Sequence, residues 1–208
     1  MAPEKRQPPS TPQITEAALV NEMFKRFEFS ARDRESLRDA GMLILPLSGQ
    51  SINQLKENGM RLREVHVPKP LEKKILESQS RFCEVAMDPH NFLLAKSNDL
   101  TLPEQEEMIK ALQKQYTEKG MDVEVVKGSI ADIAAINFAY FGKTGRYLLG
   151  ESKYQYREIR TAPIDDKHVS HAVTFCLGDV LQVRNVDKDY FYNRLYVAPL
   201  VVPTSRKK

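Results

Sequence analysis

Residues 121–142 read MDVEVVKGSIADIAAINFAYFG, and the change of period inside this stretch decides the architecture. Met121, Val123 and Val125 alternate with Asp122 and Glu124, the pattern of a strand with one buried face. After Lys127 and Gly128 the period changes. Ser129 is placed to cap a helix, Asp132 stands at its third position, and apolar residues then fill more than one helical face as far as Phe141. Such a helix has to lie between layers, and Gly142 is the expected stop. A strand, a tight turn and a buried helix together imply a sheet with a helix laid on it.

Upstream, Thr101 and Glu104 form a capping box, Pro103 sits in the first turn, and Met108, Ile109, Leu112 and Tyr116 make one stripe, so a helix is expected up to Gly120. Before it, RFCEVAMDPHNFLLAKS places two apolar runs around a turn at Asp88-Pro89-His90-Asn91, the pattern of a hairpin. MLILP at 42–46 and LREVHVP at 62–68 read as strands, and SINQLKENG and PLEKKILES read as short helices. Downstream, YQYREIR, HVSHAVTFC, DVLQVRNV and RLYVAPLVV are four strand-like segments. The fold expected is α+β: a mixed, mostly antiparallel sheet with helices packed on one face, preceded by a smaller helical region.

Residues 1–12 hold four prolines and no apolar period, so they read as a disordered arm. Residues 13–78 form a helical and mixed N-terminal region, opened by an amphipathic helix over 13–27 and a second short helix capped by Ser30. Residues 79–203 are the α+β domain and 204–208 a basic tail. The formal charge is +3, but Glu4, Lys5 and Arg6 contribute +1 and Arg206, Lys207 and Lys208 contribute +3. The body is therefore nearly neutral, which argues against an electrostatic nucleic-acid surface spread over the whole chain. Without a long apolar run or a secretory leader, no membrane association is expected and the location expected is cytoplasmic. Cys83 and Cys176 lie in alternating apolar segments and read as reduced core thiols.

Two constellations carry candidate chemistry. The first is Lys127, Gly128 and Ser129, a basic residue, a flexible one and a hydroxyl at a helix start, suited to a phosphate or carboxylate. It supports an alternative reading of an enzyme acting on a phosphorylated or acidic small molecule. The second is the segment 146–160, where Arg146, Tyr147, Lys153, Tyr154, Tyr156, Arg157 and Arg160 supply stacking rings and phosphate-neutralising cations. It supports an alternative reading of a single-stranded nucleic-acid-binding module. Within a strand, however, Tyr154 and Tyr156 share a face with Glu158 and Arg160, while Lys153 and Arg157 take the other, so rings and cations are mixed.

Gly142-Lys143-Thr144 fails as a phosphate loop, because Asn137 stands where the early glycine is needed and the tripeptide follows a helix instead of preceding one. His168, His171 and Cys176 lack a convergent ligand set, so no metal is expected. No nucleophile elbow or Cys-His pairing is visible, so no catalytic residue and no cofactor is assigned. The preferred reading is a non-catalytic binding protein, an interaction or assembly component whose partner is another protein.

Overall fold

The computed structural model describes residues 27–150, 154, 157–164, 170–176, 180–186, 189 and 192–204. The arm, nearly all of the helix expected over 13–27 and all but Thr204 of the basic tail lie outside these residues, as do Lys153 and Tyr156. The elements in order are α1 (Ala31–Asp39), β1 (Leu43–Ser48), α2 (Ile52–Glu57), β2 (Arg61–His66), α3 (Lys69–Glu77), β3 (Phe82–Met87), α4 (Leu102–Glu118), β4 (Val123–Lys127) and α5 (Ile130–Thr144). A 3-10 turn, Leu148–Gly150, precedes β5 (Glu158–Arg160), β6 (Ser170–Cys176), β7 (Val180–Val186), β8 (Leu195–Val197) and β9 (Pro199–Pro203). The class is α+β as expected.

The described strands form two sheets. The first has the order β1-β3-β9-β4 and is antiparallel throughout. The second, β2-β7-β6-β5-β8, is mixed, with β2 parallel to β7 and β5 parallel to β8. The segment read as one strand, RLYVAPLVV, divides at the buried Ala198. β8 joins the second sheet and β9 the first, so this break links the two sheets.

Alternation along the first sheet sorts its side chains into two cores. Leu45, Leu47, Cys83, Val85, Leu200 and Val202 face α5, together with Ile130, Ile133 and Ile136. Ala86, Val123, Val125 and Val201 face the other way, towards Leu37 of α1 and Ile109 of α4. The expectation of helices on one face is thereby refined, because α4 and α5 divide between the faces.

Pro46 lies within β1 without breaking it. Its cross-strand partner Glu84 turns its N–H away from β1, to the Phe27 carbonyl at 2.9 Å. The pair is therefore not hydrogen-bonded, and the missing proline N–H points to the free edge of the sheet.

Three local expectations are corrected. α5 does not stop at Gly142 but runs to Thr144, ending on Gly145, which has φ +70° and donates its N–H to the Phe141 carbonyl at 2.7 Å. The helical ladder tolerates one interior glycine at about 1 kcal/mol and ends where the left-handed conformation is adopted. The hairpin over 81–97 does not form. Asp88 accepts from the N–H groups of His90 and Asn91 at 2.8 and 3.0 Å, so the turn exists, but β1 and β9 occupy both sides of β3. Phe92 and Leu93 are buried from a loop instead. The strand in YQYREIR is confined to Glu158–Arg160, flanked by β6 and β8, so Ile159 and Arg160 are both buried despite pointing to opposite faces.

Candidate functional site

The turn at Lys127, Gly128 and Ser129 shows why each residue type is there. The chain leaves β4 and folds back over the sheet so closely that a β-carbon on Gly128 would stand 2.7 Å from Leu200 Cδ1 and 3.0 Å from Ile133 Cδ1. The glycine serves close packing. Ser129 Oγ accepts the Asp132 N–H at 3.0 Å, and Asp132 Oδ2 accepts the Ser129 N–H at 2.9 Å. Asp132 Oδ1 accepts a second N–H, from Arg81 at 2.7 Å, and the Arg81 guanidinium approaches the carboxylate within 3.3 Å. A carboxylate of the chain itself, 1 % exposed, thus occupies the electropositive helix start.

The third member of the turn points elsewhere. Lys127 reaches Glu106 on α4 at 3.2 Å. Burial holds the Lys127 ammonium below its ordinary pKa, with Glu106 opposing that shift and Arg160 adding to it. Burial likewise lowers the Arg160 guanidinium, again against Glu106. Two cations assigned by sequence to different sites are therefore both under the influence of one carboxylate, whose role the sequence did not reveal because Glu106 looks like any solvated helix residue.

The tyrosine-arginine segment is dispersed. Tyr154 is buried, with its hydroxyl accepting the Phe92 N–H at 3.1 Å and donating to the Pro89 carbonyl at 3.3 Å. Arg157 lies 5.0 Å from the centre of the Tyr196 ring, a cation–π contact within the fold. Arg160 is wholly buried. Among the segment's described residues, Arg146 and the half-buried Tyr147 are left together at the surface.

There they join residues that sequence reading had placed in the core or at a helix cap. Every residue of α5 from Ile130 to Asn137 is buried, but Phe138, Ala139 and Tyr140 are half-buried, and Phe141 is 38 % exposed. Tyr147 stacks on Phe141 with ring centres 4.3 Å apart and planes inclined by 15°. Lys143 and Arg146, close to the pair in the chain, are exposed. The signal in the sequence was a largely apolar helix continued past the point where the first sheet covers it. Among the described residues no group of three or more metal-ligating side chains comes together.

Comparison with protein-family models, with curated proteins and with solved structures gives no match to this chain.

Proposed function

We propose that this chain is a non-catalytic binding protein whose partner is another protein, and that the aromatic end of α5 is a contact surface. One observation carries the reading: the exposed Phe141 stacks on the half-buried Tyr147 at the end of a helix that is core over Ile130–Asn137, with Lys143 and Arg146 exposed close by in the chain. Aromatic residues with arginine around them are what protein interfaces concentrate, since they bury much area for little lost rotamer freedom. A cytoplasmic setting goes with this reading, supported by the free, buried thiol of Cys83. No described helix is long and apolar enough to cross a membrane.

A second reading has its own support. Residues 138–150 contain no carboxylate while holding Lys143, Arg146 and three aromatic rings besides Phe138, so a single-stranded nucleic acid is the alternative occupant of the same surface. The enzymatic reading at Lys127, Gly128 and Ser129 has less in its favour, because Asp132 already fills that helix start.

The test is a photo-cross-linking amino acid at position 141, irradiated in the cells that make the protein. A cross-linked protein species that disappears with Tyr147→Ser and Arg146→Glu supports the protein-partner reading. Adducts removed by nuclease, together with binding of labelled single-stranded DNA or RNA that weakens steeply with salt, would replace it with the nucleic-acid reading.

A further inference from the structure

A groove lies on the α5 side of the first sheet, where β3 and β9 part. The two strands are in register at Ala86 and Val201. Continued by two residues, that register would set Glu84 against Pro203, which has no N–H to offer. Glu84 instead donates its N–H to the Phe27 carbonyl, and its carboxylate accepts the Phe29 N–H and an Arg34 N–H at 2.9 and 2.8 Å. Phe27 packs with the core facing α5, whereas Phe29 belongs to the core facing α1 and α4. The chain between Phe27 and Phe29 therefore passes through the sheet in the gap between β3 and β9, with Phe27 on the groove side.

The groove has a volume of about 460 Å³, with Phe27, Cys83, Val202 and Pro203 among its walls and Arg81 and Glu124 at its lips. We propose that its occupant is residues 13–26 of this same chain. At helical spacing Ala17, Val20, Phe24 and Phe27 fall on one face, at i, i+3, i+7 and i+10, with Glu22 on the opposite one and Lys25 beside it. Phe27, the last member of that stripe, already lines the groove, so the stripe continues a wall that is in place. Fourteen residues of helix extend about 21 Å at 1.5 Å each. That exceeds the roughly 14 Å spanned by four strands spaced about 4.8 Å apart, so the segment is long enough to cover the groove and cross the sheet. Its flanks carry both signs, Glu22 against Lys25 and Arg26, as do the lips with Arg81 and Glu124.

The experiment uses the full chain with Cys176→Ser, so that Cys83 is the one native thiol. Phe24→Cys and, separately, Glu22→Cys are treated with diamide, which takes up the two thiol hydrogens as a disulfide forms, and the products are mapped by mass spectrometry. An intrachain disulfide to Cys83 at least tenfold more abundant for position 24 than for position 22 is expected. Equal yields overturn the proposal, and so does a disulfide between two chains, which would give the groove to a second copy. A second measurement avoids any demand on disulfide geometry: with Val20→Asp and Phe24→Asp together, amide exchange over residues 13–26 and 82–85 is expected to quicken at least tenfold. Unchanged exchange in both stretches overturns the proposal, leaving the groove to a separate ligand.

Discussion

The Lys127 ammonium lies 3.2 Å from the Glu106 carboxylate, and the two side chains differ in exposure, 9 % against 49 %. That difference makes the pair asymmetric. Replacing Lys127 by Met leaves a half-exposed carboxylate that water can solvate, and the lysine stem was already packed; the expected change is within about 1 kcal/mol. Replacing Glu106 by Gln leaves a buried cation without its carboxylate and removes the charge that Arg160 also feels, so a loss of about 1–3 kcal/mol is expected. Denaturant unfolding of the two variants at pH 7 checks the order. The pH dependence has a definite sign: Lys127 is held below its ordinary pKa, and losing Glu106 lowers it further, so the unfolded state binds more protons. The Glu106→Gln deficit should therefore shrink as pH rises towards the ordinary lysine value near 10.4.

Three glycines in or beside α5 are expected to respond differently to alanine. Gly142 is inside the helix with nothing within 4 Å of an added β-carbon, so Gly142→Ala should stabilise by about 0.5–1 kcal/mol. Gly145 has φ +70°, and Gly145→Ala should cost about 1 kcal/mol at the helix end. Gly128→Ala should cost about 1–3 kcal/mol, because the methyl group meets Leu200 and Ile133, whose own burial leaves them little room to yield. Thermal melts of the three variants decide whether Gly142 or Gly145 ends the helix.

What was legible in the sequence was local, and what was missed depended on distant neighbours. The Ser129–Asp132 capping box, the Thr101–Glu104 pair and the change of period after Lys127 all follow from residues within one helical turn of each other, and all are present. The hairpin after β3 failed because β9, more than a hundred residues away, supplies the competing partner. Arg160 reads as a surface cation in YQYREIR, yet β6 and β8 close over its strand. At the candidate site the residue types of Arg146 and Tyr147 were recognised, whereas Phe141 was assigned to the core, since helical periodicity cannot tell where the covering sheet ends.

Cys83 gives the last prediction, through pH. Burial pushes its thiol from 9.0 up to about 11, with the Arg81 guanidinium opposing the shift and Asp132 and Glu84 adding to it. Below pH 9 the thiol is protonated whether the chain is folded or not, so it contributes no pH dependence there. Between about 9 and 11 the unfolded thiol ionises while the folded one keeps its proton, so stability falls as pH rises, by about 2–3 kcal/mol over the window. Lysines and tyrosines titrate in the same range, and Tyr116 is raised too, so the wild-type curve alone does not isolate the thiol. Comparison with Cys83→Ala does, because every other group is common to both chains. The variant should be less stable by about 1 kcal/mol at pH 7, where it lacks only the packing of the sulfur. It should draw level and then become the more stable protein between pH 9 and 11, a reversal that denaturant titrations at four or five pH values would reveal. Parallel curves would place the Cys83 thiol at its ordinary value and its sulfur in contact with water.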